Sequence, residues 1–170
     1  MVMRASVAAL AAILLLAACN QDPYPIPTGP ASAVLLPAAV GEPVNAVVMY
    51  IEARPGDRVV LLSAEAIGQL DGASVDFYSS PAIVGNDGEL IVGEQLDELE
   101  GTVVQAPPGG SADPARTVGI VAELTASEPG RYLITAVRLT YRYGGTEREG
   151  EGVDVVMTVC ADDPAPTDCE

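Results

Sequence analysis

The chain has 170 residues, of which 24 are acidic and 8 basic, for a formal net charge of −16; 49% of it is hydrophobic. That length fits one domain. All eight basic residues are arginine, and the chain contains neither His nor Lys. Without His there is no Ser-His-Asp or Cys-His catalysis and no imidazole metal site. Without Lys there is no Schiff base and no phosphate-gripping P-loop. Trp is absent and Phe77 is the only Phe, so a stacking platform for sugars or bases has little material. The acidic balance repels nucleic acid. It leaves a cation or a basic partner surface open.

In chain order, the first element is MVMRASVAALAAILLLAAC, Met1 to Cys19. Arg4 supplies a short positive region, and Val7 to Ala18 is an uninterrupted apolar run. As a helix that run would span about 18 Å, short of a ~30 Å hydrocarbon core. The pattern predicts a signal peptide over 1–18 rather than a membrane-spanning helix. Leu16-Ala17-Ala18-Cys19 resembles the lipobox of bacterial lipoproteins. The resemblance implies that Cys19 is acylated and becomes the first mature residue. The protein would then be exported and lipid-anchored to the cell membrane, on its outer face or periplasmic side. Two or more acyl chains anchor stably where one does not.

Residues 19–32 carry the lipidated Cys and a tether in which Pro23, Pro25, Pro27 and Pro30 favour an extended polyproline-like spacer. From 33 to 160 the pattern is β. Ala46 to Ala53 is rich in strand formers. Arg54-Pro55-Gly56-Asp57 suits a type II turn. Arg58 to Ser63 reads as a buried strand, and Ser74 to Ser79 as a short one. Ala82-Ile83-Val84 and Leu90-Ile91-Val92 flank Gly85 to Glu89 as a hairpin. Glu94 to Glu100 is either one helical turn or a charged edge. Gln105 to Arg116 is a long loop, a length often used for function. Val118 to Leu124 is strand-like. Arg131 to Tyr143 places Val137, Leu139, Tyr141 and Tyr143 on one face and Arg138, Thr140 and Arg142 on the other. Gly144-Gly145 is a two-residue hairpin signal, Val153 to Cys160 is the last strand, and 161–170 is an acidic tail.

About seven to nine strands separated by Gly/Pro turns predict an all-β, antiparallel sandwich, with a barrel as the competing architecture. Pro129-Gly130-Arg131-Tyr132 resembles the tyrosine corner of immunoglobulin-like domains. That resemblance implies that Tyr132 is buried, with its hydroxyl bonded to upstream backbone. With no Trp and no Cys pair to bridge the sheets, it implies the broader immunoglobulin-like class rather than an antibody domain.

Cys160 and Cys169 enclose ADDPAPTD, and an oxidising exported compartment predicts a disulfide between them. The surrounding carboxylates disfavour a redox thiolate. Asp87-Gly88 with Glu94 matches the end of a calcium-binding EF-hand loop, but Ile83 and Gly85 stand at the first ligand positions. Asp71-Gly72 fails too, with Tyr78 at the bidentate position. No metal or cofactor is therefore assigned. Arg138 and Arg142, with Arg131 and Arg148 nearby, suit either an anion contact or cross-strand pairing with Glu147, Glu149 or Glu151. The pairing reading is favoured. No carboxylate pair is singled out for acid/base work, so no catalytic residue is assigned. The expectation is a lipid-anchored envelope interaction module, not an enzyme, meeting a protein with a basic surface and using the loop at 105–116. An acidic-loop carrier of calcium or a small ligand is the alternative, and a carboxylate hydrolase a remote one.

Overall fold

A computed structural model describes residues 34–53, 56–84, 90–93, 95–105, 116–151, 157–167 and 169. The signal and lipobox segment, the tether, and most of the 105–116 loop lie outside the described residues. Among the described residues every regular element is a strand. These are β1 (Val34–Ala39), β2 (Pro43–Ala53), β3 (Arg58–Gln69), β4 (Ala73–Val84), β5 (Leu90–Val92), β6 (Asp97–Glu98), β7 (Val103–Gln105), β8 (Arg116–Ala126), β9 (Gly130–Tyr143), β10 (Thr146–Glu151) and β11 (Met157–Asp162).

Two sheets form. One runs β1-β11-β9-β3-β7, with β10 also on β9; the other runs β2-β8-β4-β5, with β6 also on β4. One cluster of buried side chains draws on both, including Met49, Ile120 and Leu124 from one sheet and Leu61, Ile134 and Leu139 from the other. A shared core between two sheets is consistent with a β-sandwich. Alternation along β9 decides which side faces it: Val137, Leu139 and Tyr141 are buried, while Arg142 is exposed on the opposite face. β8 lies between β2 and β4, and it buries Val121 on its outer face as well as Ile120 on its inner one.

The pairing is antiparallel in every ladder except one. β1 pairs parallel with β11, from Val34↔Met157 to Ala39↔Asp162. The turn at Val40–Glu42 carries the chain across to β2 in the other sheet, which frees β1 to run beside the last strand instead of against its sequence neighbour. The count also exceeds the expected seven to nine. The final strand region is divided into β10 and β11, with 152–156 outside the described residues, and β6 and β7 are two and three residues long.

Other differences are local. The segment read as a buried strand over Arg58 to Ser63 runs on to Gln69 and alternates, with Val59 and Leu61 inward. β4 continues through Pro81, joining two segments read as separate. Proline is tolerated there because β5 and β6 pair with 82–84 and 78–79 and leave Pro81 between them. The β4–β5 register, Ala82↔Val92 to Val84↔Leu90, is that of the expected hairpin. Described residues between 95 and 100 form a charged edge with no helical turn. β11 runs to Asp162, two residues beyond the expected end of the domain.

Candidate functional site

Cys19, the expected lipid attachment point, lies outside the described residues, as do Asp87 and Glu94. Asp71 is exposed, and the carbonyl of Gly72 beside it accepts bonds from the Ser127 amide and hydroxyl, both at 2.8 Å. Among the described residues no three acidic or cysteine side chains group as a metal site would need.

Cys160 and Cys169 form a disulfide, with Cα atoms 5.5 Å apart. It ties the segment after β11 back to that strand. Tyr132, near the start of β9, is 3% exposed, and its hydroxyl donates to the carbonyl of Glu128 at 2.8 Å. Gly144 and Gly145 have φ of 58° and 80° and join β9 to β10. Positive φ at both central residues is what a tight hairpin needs, and glycine adopts it without steric cost.

The hairpin register sets Arg142 opposite Glu147, but no ion pair forms there. The salt bridge found among the described residues is instead Arg138–Glu65, 2.9 Å, across β9 and β3. Arg142 faces a different environment. With Arg58 at the start of β3 it lines an open cavity of about 480 Å³, together with Asp57, Tyr143 and Gly56, Gly144 and Gly145. The Tyr143 hydroxyl donates to Asp57 Oδ1 at 2.9 Å, and the Arg148 guanidinium lies 5.5 Å from the centre of its ring. Arg58 took no part in the expected sites. Its partner in this cavity is 84 positions away in sequence, so only the β3–β9 ladder reveals the pairing.

A second concavity, about 430 Å³, opens where the two sheets part between β3 and β4. β7 covers β3 only from Arg58 to Val60, and the following turn exchanges bonds with Leu61, from Gly101 N and to Thr102 O. Beyond Leu61 no described strand pairs with that edge. Its lining combines apolar Leu62, Ala64, Phe77 and Leu99 with Asp76, Glu98, Glu100 and Tyr78. The turn that carries Glu98 and Glu100 is pinned from below. Buried Ser79 lies 2.8 Å from the Thr102 hydroxyl, which donates to the Glu98 carbonyl at 2.8 Å. Asp76 stands directly across from Glu123, a like-charge register that costs energy unless something positive approaches. Tyr78 contacts Glu123 Oε1 at 3.5 Å. Its phenol is held above the ordinary value, chiefly by the negative charge of Glu123, then by partial burial and by Asp76. No arginine pairs with Asp76, Glu98 or Glu100 among the described residues.

The chain is similar in structure to the Proteus mirabilis Ambient Temperature Fimbriae adhesin AtfE, at 13% identity and a TM-score of 0.28, over 81% of this chain and 97% of that one. No family model and no curated protein matches the chain.

Proposed function

We propose that this protein is a non-catalytic interaction module of the cell envelope, held to a membrane through lipid on Cys19, whose acidic groove receives a basic segment of a partner protein. One observation carries the reading. Three carboxylates without a counter-ion join apolar side chains in lining one cavity at the place where β3 and β4 leave their outer edges uncovered. Apolar contact would supply affinity, while carboxylates facing guanidinium or ammonium groups would supply selectivity and a faster encounter. The absence of His and Lys and the tethering motif LAAC support the same reading.

The domain that presents this groove is, in our reading, immunoglobulin-like. Support comes from the order β2-β8-β4 in one sheet, from β9 flanked by β3 and by the final strands in the other, and from the Tyr132 bond to upstream backbone.

The test is crosslinking of the full chain in its own membrane, followed by mass spectrometry. The expected result is a reproducible partner, joined through residues of the groove, whose yield falls as salt rises and falls again in the Glu98→Gln/Glu100→Gln variant. Crosslinks indifferent to both salt and the substitutions would overturn the groove. Turnover of a substrate abolished by one Asp or Glu substitution would overturn the non-catalytic reading.

A further inference from the structure

We infer that the Arg58–Arg142 cavity is a phosphate-binding site, and that its ligand is the phosphate of the lipid headgroups beneath the anchored domain. The headgroup assignment rests on the membrane anchoring proposed above; the cavity itself does not.

Among the described residues, Arg58 and Arg142 line this cavity together and neither has an ion-pair partner. That is notable in a chain with eight basic residues against 24 acidic ones, where carboxylate partners are plentiful. Glu147 stands opposite Arg142 in register and is not used. Among the described residues Asp57 is the cavity's only carboxylate, and its Oδ1 accepts the Tyr143 hydroxyl. Arg148 against the ring of Tyr143 restrains that side chain. Two guanidiniums beside an open volume of about 480 Å³ suit a phosphate oxyanion, which accepts several charge-assisted bonds at once. The three glycines at the mouth place no side chain in the way.

The direction of the chain supplies the ligand's source. β1 runs parallel to β11, and β11 runs antiparallel to β9, so Val34 is level with Met157 and Ile134. The N-terminal end of β1 at Val34 is therefore directed toward the end of the domain where Tyr143, Gly144 and Gly145 lie. Ile134 to Tyr143 is nine residues of strand, about 30 Å. The fifteen residues from Cys19 to Ala33 would span about 46 Å at the rise of a polyproline helix. That length exceeds the strand distance, so a lipid on Cys19 would have the reach to lie past the hairpin end, where the cavity opens.

Charge points the same way. At the hairpin end Arg58, Arg142 and Arg148 offset Asp57, Glu147 and Glu149. At the far end Glu42, Asp71, Glu128, Asp162 and Asp163 face Arg131 alone among the described residues. A membrane bearing phosphate therefore repels the far end and tolerates the hairpin end.

The experiment measures how fast phenylglyoxal modifies each arginine, read by peptide mass spectrometry on the full acylated chain. Four samples are compared: neutral detergent, the same detergent with inorganic phosphate, phosphatidylglycerol vesicles, and vesicles of a phosphate-free galactolipid. We expect modification of Arg58 and Arg142 to slow about fivefold in phosphatidylglycerol, the protection given by headgroups at about four times their dissociation constant. Arg131 should be unchanged, and the galactolipid should protect neither site. Unprotected Arg58 and Arg142 in phosphatidylglycerol vesicles that carry the protein would overturn the inference. Equal protection by inorganic phosphate at matched concentration would assign a free anion and overturn the headgroup as ligand. Failure to float with either vesicle would remove the anchor, and the headgroup with it. The detergent samples would then decide on the cavity alone.

Discussion

Replacing Tyr132 with Phe isolates a single hydrogen bond. The ring is 3% exposed and packs within the shared core, so Phe keeps the apolar contacts. Only the bond from the hydroxyl to the Glu128 carbonyl, 2.8 Å, is removed. Glu128 is exposed in the connection between β8 and β9, so water can reach its carbonyl once the phenol is gone. The loss should therefore stay near the net value of one hydrogen bond, about 1 kcal/mol, without the larger penalty of a stranded buried acceptor. For a chain of this size that lowers the melting temperature by roughly 2–4 °C. Tyr132→Ala is the comparison, removing the ring as well and costing about 3–5 kcal/mol. Urea unfolding of both variants measures the differences, provided the slope with denaturant is unchanged. The reasoning fails if Tyr132→Phe matches the parent, which would make the bond irrelevant. It also fails if Phe costs as much as Ala, which would mean that the ring does not hold its place without the hydroxyl.

Gly68 sits at an irregularity of the β3–β9 ladder, where an added methyl would overlap the carbonyl oxygen of Leu133. Gly68→Ala should cost about 1–3 kcal/mol through backbone displacement, and hydrogen exchange should quicken around Leu133; a neutral variant would contradict the close approach. The Cys160–Cys169 bridge closes a separation of nine residues. Its entropic contribution is at most about 3 kcal/mol, so reduction should lower stability modestly and leave the far-UV spectrum unchanged, and loss of the whole fold on reduction would refute this. Because the native pKa of Tyr78 is raised, chiefly by Glu123, its stabilisation is present below the unfolded phenol value and is lost as pH rises through the native one. Tyr78→Phe should remove that alkaline loss, and an ultraviolet titration in which every phenol ionises at the ordinary value would count against it. Arg138–Glu65 is a surface pair with side chains 39% and 67% exposed. Glu65→Gln should shift stability by less than about 1 kcal/mol.

The elements most readable from the sequence were those whose information is local. In the second half of β9, from Val137 to Tyr143, alternation of apolar and polar side chains sets both the strand and its buried face. The Gly144-Gly145 pair sets the turn and, through it, the Arg142↔Glu147 register. The Ala82–Val92 hairpin follows from two apolar triplets, each ending in Ile-Val, around a short polar segment in the same way. Legibility ends where a residue's state depends on something distant in the chain. Pro81 reads as a breaker, and it stays within β4 because β5 and β6 stop on either side of it and only its carbonyl is called on there, by the Gly93 amide at 3.2 Å. β1 carries no mark of parallel pairing, since the same alternating residues serve either direction. Its direction is decided by the chain crossing between sheets at Val40–Glu42.

The same distinction explains the sites. Counting charges predicts an acidic surface seeking a basic partner. It does not predict which carboxylates lack a counter-ion. That depends on β7 beginning only at Val103, opposite Val60, so that Glu98, Glu100 and Asp76 line a cavity beside the uncovered edge of β3. The arginines show the limit more sharply. Hairpin register alone pairs Arg142 with Glu147, and the register is present, yet register only makes a pair available. The carboxylate that takes an arginine is Glu65, 73 positions from Arg138 and on the other neighbour of β9. Arg142 instead lines a cavity with Arg58, and that cavity exists only because β3 and β9 are adjacent. Local patterning therefore decides where the charged side chains stand along each strand, and the order of strands in the sheet decides which of them remain available for a ligand.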